Sequence, residues 1–179
     1  MSGFGRDACD WVEVQGCGIR SIQMIELPAS ASAFEHWGAV DRLEDLFRRY
    51  FDIAARLAAP LVCVRWENNG PVLRLRWPSV PLIAMGKPVI EPGGGRRAIT
   101  VPVLGGLLSQ AFPNAHLSIV LTHRSPQICA LVELDGYQPR WYWIPGVKFL
   151  SRRVQARLHV AVGRRLLRDL ADEWEAWKQ

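Results

Sequence analysis

The spacing of apolar and polar positions changes period along this chain, and each change predicts an element. From Ser151 to Trp177, the residues Val154, Leu158, Val162, Leu166, Leu170, Trp174 and Trp177 recur at three- and four-residue steps. On a helix such positions form one slowly drifting apolar stripe. Arg153, Arg157, Arg164 and Arg168 fall on the other side. Ser151 suits an N-cap and no proline interrupts the run, so a long amphipathic helix is expected, lying on a broad apolar surface. The same spacing runs from Ala33 to Ala59 through Phe34, Trp37, Val40, Leu43, Phe47, Tyr50, Ala54 and Leu57. Gly38 is expected to split a short helix from a longer one, with Ser30 or Ser32 as cap and Pro60 as terminator.

Elsewhere the period is two. Ile19 to Leu27 reads as a strand ended by Pro28. In Leu61–Trp77, Val62, Val64 and Trp66 alternate with Cys63, Arg65 and Glu67. After the turn Asn68-Asn69-Gly70-Pro71, Leu73, Leu75 and Trp77 alternate with Arg74 and Arg76. This predicts a hairpin with one apolar and one charged face. Further strands are expected at about 82–90, 97–103, 115–124 and 127–135, separated by Gly- and Pro-containing breaks. Trp11–Val14 is a candidate short strand, and Tyr137–Leu150 reads as an aromatic linker. The expectation is an N-terminal extension over 1–18 and a single α+β domain over 19–179. Its strands form a curved antiparallel sheet, with a helical segment after the first strand, wrapped around the C-terminal helix.

This element order resembles the helix-grip fold of the START/Bet v 1-like (SRPBCC) superfamily, which includes polyketide cyclases and lipid-transfer proteins. Val103-Leu104-Gly105-Gly106-Leu107-Leu108, followed by strands and then Gln155-Ala156-Arg157-Leu158-His159, is similar to members of that superfamily. The resemblance implies a hydrophobic cavity between sheet and helix. It therefore implies an apolar small molecule or lipid as the partner, with Trp66, Trp77, Leu158 and Val162 as candidate lining residues. It leaves open whether the ligand is also transformed, since fold alone does not decide chemistry.

Charge and composition narrow the classes. The net charge is +5 over 179 residues. Residues 1–90 balance ten basic against ten acidic side chains, so the excess lies beyond them. An Arg-rich second half makes nucleic-acid binding the alternative function, although no RNA- or DNA-binding module is recognisable. Arg152, Arg153 and Arg157 open the last helix, where the helix dipole disfavours cations. Just before them stand Trp141 and Trp143, and aromatics beside arginines suit a transient contact with anionic membrane.

Cys9, Cys17, Cys63 and Cys129 lack any CxxC pair and predict reduced thiols. With no secretory signal pattern at the N-terminus, a cytoplasmic protein is expected. His36, His116, His123 and His159 show no metal-site spacing, so no metal or cofactor is expected. Gly93-Gly94-Gly95 lacks nucleotide-loop spacing and reads as a hairpin turn. Glu133 falls on the polar face of its strand, so the Glu133–Asp135–Tyr137 cluster reads as solvated rather than catalytic.

Overall fold

The structure, a computed structural model, describes residues 9–15, 18–28, 30–110, 113–140 and 145–177, with side chains for all of these but 11, 13–15, 18, 31, 139 and 145–154. Ten strands and three helices run in the order β1 (Cys9–Gln15), β2 (Gly18–Pro28), α1 (Ala31–Trp37), α2 (Val40–Leu57), β3 (Val62–Glu67), β4 (Gly70–Leu75), β5 (Pro81–Met85), β6 (Val89–Pro92), β7 (Arg96–Gly105), β8 (Ser109–Gln110), β9 (His116–Arg124), β10 (Gln127–Pro139) and α3 (Pro145–Trp177). All strand pairs are antiparallel. The sheet order is β1-β2-β10-β9-β7-β5-β4-β3, with β6 added to β7 and β8 to β10. The sheet is curved and unclosed, and α3 packs against it: the α+β, helix-grip-like arrangement that the spacing predicted.

Alternation determines which residues face inward. Ile19, Ile25 and Leu27 of β2, Ile99, Val101 and Val103 of β7, Leu117, Ile119 and Leu121 of β9, and Ile128, Ala130, Val132 and Leu134 of β10 are all buried in one core. Onto it α2 lays Leu43, Leu46, Phe47, Tyr50, Phe51, Ile53 and Ala54. The stripe of α3 adds Val162, Leu166, Leu167, Leu170 and Trp174. Where α3 crosses β2 the helix carries Gly163. A Cβ there would stand 2.5 Å from Gln23 Oε1, so the absent side chain is what lets the helix approach the strand.

The helical segment follows its local chemistry. Ser30 Oγ accepts from the backbone N–H of Ala33, capping α1, and Gly38 ends it. Trp37 of α1 stacks on Trp174 of α3 with centroids 5.6 Å apart, and Trp174 Nε1 donates to the Pro28 carbonyl at 3.1 Å. The Gly93–Gly95 segment joins the paired strands β6 and β7, as a hairpin turn does.

Several boundaries differ from those the spacing predicted. Helix α3 begins at Pro145 rather than Ser151. Proline fits the first helical turn, whose N–H groups have no intrahelical partner, so it starts a helix as readily as it ends one. The expected linker is shortened further because β10 runs on to Pro139. The strand expected at 82–90 is two, β5 and β6, with Gly86-Lys87-Pro88 between them; β5 pairs the end of β7 and β6 its beginning. Residues 9–15 form an edge strand on β2, so part of the N-terminal extension continues the sheet. The short strand β8 had no signal of its own. Cys9, Cys63 and Cys129 are free thiols.

Candidate functional site

Polar side chains interrupt the apolar interior at one end of the interface between α3 and the sheet. Four elements bring them there. Tyr50 comes from the buried face of α2, Tyr137 from β10, Ser109 from β8, and Gln155 and His159 from α3. Gln155 and His159 are four residues apart and so share a helix face.

Tyr137 faces inward because of a bulge. Strict alternation from Leu134 would turn residue 137 outward, but the β10–β2 register shifts between Leu134 and Tyr137. Gly136 carries the kink with φ +65°, and its N–H donates to Asp135 Oδ1 at 2.8 Å. Glycine takes this left-handed conformation without penalty, and the extra residue flips the next side chain to the other face.

The hydrogen bonds of the cluster are incomplete. Tyr50 Oη lies 2.8 Å from His159 Nδ1. No other acceptor lies within reach of the Tyr50 hydroxyl among the described contacts, so it donates to Nδ1, and the proton of the neutral ring sits on Nε2. The ring of His159 meets the Tyr137 ring edge-on, centroids 5.6 Å apart. Tyr137 Oη donates to the Leu108 carbonyl at 3.1 Å, and the same oxygen receives the Arg140 N–H at 3.3 Å and Gln155 Nε2 at 3.5 Å. A carbonyl has two lone pairs, so the third and longest bond is marginal. Gln155 Oε1 and Ser109 Oγ are buried and have no partner among the described residues.

Burial governs the titration of these groups. It pushes the Tyr50 and Tyr137 hydroxyls well above the ordinary phenol range, with the nearby Tyr50 adding to the effect on Tyr137. It lowers His159 to about 4. At neutral pH the cluster is therefore uncharged and offers hydrogen-bond donors and acceptors without an ionised acid or base.

The expected lining residues are divided. Val162 is buried on the inward stripe of α3, and Leu158, one turn before it, is partly buried against the core. Trp66 lies elsewhere, over the rings of Phe47 and Phe51 of α2, and is half exposed. Trp77 is 89% exposed. The β3–β4 ladder ends at the pair Val62–Leu75, so residue 77 lies past it and alternation no longer sets its face. Arg157 is exposed on α3. Trp141, Trp143 and the side chains of Arg152 and Arg153 lie outside the described residues.

Sequence reasoning missed Tyr50, Tyr137, Gln155 and Ser109 as a group. The one available signal was a polar pair, Gln155 and His159, beside the apolar stripe of a helix otherwise lined by Leu and Val. The other histidines stand apart: His36 is stacked on Trp177, His116 is bonded to the Asn114 carbonyl, and His123 lies beside Phe34. Glu133 is held by Arg20, whose Nε and Nη2 donate to Oε1 at 2.9 and 2.6 Å.

No protein-family model matches the sequence, and no curated protein matches it. Among solved structures, the chain is similar to a conserved protein of unknown function, EF2215 from Enterococcus faecalis. The two are 12% identical over 91% of each chain, with a TM-score of 0.32. It is also similar to CalU16 from Micromonospora echinospora, at 10% identity over 95% of this chain and 96% of that one, with a TM-score of 0.32. An uncharacterised protein from Rhizobium leguminosarum aligns at 11% identity over 85% of this chain and 97% of its own, with a TM-score of 0.34.

Proposed function

We propose that this protein, a helix-grip member of the START/Bet v 1-like superfamily, binds an apolar small molecule or lipid between its sheet and α3. The polar end of the ligand meets Gln155, His159 and Ser109. The observation that carries this reading is the pair of buried oxygens without a partner among the described residues, Gln155 Oε1 and Ser109 Oγ, beside the apolar core. Leaving such a group unpaired costs about 1–3 kcal/mol. A ligand hydroxyl donating to Gln155 Oε1 and accepting from His159 Nε2–H satisfies both helix residues. Leu158, partly buried one turn from Val162, borders the apolar part of the ligand. The neutral cluster suits binding and orientation of a ligand rather than acid–base turnover.

Native mass spectrometry of the purified full chain is expected to show a bound amphiphile. Dodecanol is expected to displace a fluorescent apolar probe such as 1-aminoanthracene. Leu158→Trp, which adds an indole beside His159, should abolish both while leaving the circular dichroism spectrum unchanged. A wild-type protein that carries nothing and binds neither probe overturns the reading.

A further inference from the structure

The strand at the far end of the sheet from β1 is β3, and the chain around it is unlike the rest of the surface. Three large apolar side chains stand in water there: Trp77 at 89% exposure, Leu61 at 67% and Leu57 at 51%. Backbone hydrogen bonds hold their segments together. Leu61 N–H donates to the Ala58 carbonyl at the end of α2, and Arg76 N–H donates to the Leu61 carbonyl at 2.8 Å. The turn after α2 and the chain leaving β4 thus present one apolar corner.

The chain that forms this corner is rich in bases and poor in acids. No Asp or Glu occurs in residues 53–66 or 68–80, whereas Arg56, Arg65, Arg74 and Arg76 do. The one carboxylate between them, Glu67, is held by Arg74 at 2.9 Å. Arg56, Arg65 and Arg76 are exposed. The balanced charge of the first half of the chain therefore hides an asymmetry: nine of its ten acids stand before residue 53, and its bases are divided five and five.

We propose that this corner is a docking surface for an anionic lipid bilayer. Indole rings settle at the level of the headgroups, leucines reach the acyl boundary, and arginines and lysines pair with anionic headgroups. A single-stranded nucleic acid, the other polyanion that uses Trp and Arg, would stack on aromatic faces. It would find nothing to do with Leu57 and Leu61, so the aliphatic component decides for lipid. The docking stands apart from ligand binding and uses none of the residues of the polar cluster.

The test is co-sedimentation of the full chain with phosphatidylcholine vesicles, with and without phosphatidylglycerol, over a range of salt. Binding is expected only with phosphatidylglycerol and to weaken as salt rises. Trp77→Ser should weaken it about tenfold, from loss of the buried indole. Arg76→Gln should weaken it about fivefold. Brominated acyl chains should quench part of the tryptophan emission of the wild type, and Trp77→Ser should lose that part. Both residues are exposed, so both variants fold. Wild type that stays in the supernatant, equal sedimentation with neutral vesicles, or a Trp77→Ser variant that binds as well as wild type overturns the proposal. So does capture by a single-stranded oligonucleotide that Trp77→Ser abolishes.

Discussion

From Val162 to Trp174, helix α3 turns Val162, Leu166, Leu167, Leu170 and Trp174 into the core. Its one buried polar atom on that stripe, Trp174 Nε1, has the Pro28 carbonyl as partner. From Gln155 to Val160 the same helix turns a glutamine and a histidine inward. Leu158 and Val160 are only partly buried, and Gln155 Oε1 is without a partner among the described residues. Both stretches obey the same helical spacing, so geometry does not separate them. What separates them is whether the helix's own inward polar atoms are paired. The later half closes on Trp37 and on β2 at Gly163, and its own polar atom, Trp174 Nε1, is paired, although Trp37 Nε1 on the facing helix has no partner among the described residues. The earlier half faces a carbonyl that already has donors and a hydroxyl with none among the described residues. A helix face that is apolar and paired holds a fold together; one that carries an unpaired amide has room in its hydrogen bonding for a further molecule.

The comparison breaks most violently at the paired end. Leu166 is 1% exposed, and Leu166→Asp would bury a carboxylate in the apolar core. The expected outcome is a chain that no longer folds cooperatively, read as loss of the denaturation transition by circular dichroism. A stable Leu166→Asp protein would mean that the later half of α3 is not the packed half.

The next effect belongs to the polar end and is read through pH. Burial lowers His159 to about 4, against 6.5 for the ordinary side chain. The unfolded chain therefore takes up a proton at a higher pH than the folded one. The stability contributed by the neutral ring is fully present above 6.5 and drains away as the pH falls toward 4. Between pH 6.5 and 5 the loss is about 2 kcal/mol. In His159→Gln, which keeps an acceptor for Tyr50, this part of the pH dependence is expected to vanish. Urea denaturation of the two proteins across that window measures it, and parallel pH curves would show that His159 is solvated.

How much of this was legible differs between the two halves. The stripe of α3, the break at Gly38, the β3–β4 hairpin and the inward alternation of β9 and β10 all follow from periods of two or 3.6, which are local. The polar cluster follows from no local period. Tyr137 reaches it only through the bulge at Gly136, which reverses the alternation read from Ile128 to Leu134. Tyr50 sits among the apolar positions of α2 and reads there as one more large core residue. Ser109 lies in a two-residue strand that exists only because β10 continues past Leu134 to pair with it. Trp77 shows the reverse failure: alternation carried past the end of a ladder assigned a face that the chain no longer keeps.

The smallest effect on stability is the sharpest test of the comparison. Gln155→Leu removes a buried acceptor that has no partner among the described residues, together with a 3.5 Å bond to a carbonyl that keeps the Tyr137 hydroxyl and the Arg140 N–H. Leucine fills a similar volume without a polar atom, so the free energy of unfolding should stay within about 1 kcal/mol of wild type, on the stabilising side if it moves. Dodecanol affinity should nevertheless fall by roughly tenfold, the worth of one good hydrogen bond. Leu170→Ala in the later half should do the opposite: a loss of about 2–5 kcal/mol in stability, with affinity unchanged. The two variants cross over only if the ends of α3 have different tasks. If Gln155→Leu instead destabilises the fold as much as Leu170→Ala and leaves dodecanol binding intact, Gln155 is a structural residue whose acceptor is met by water, and the polar end of α3 is simply a poorer core.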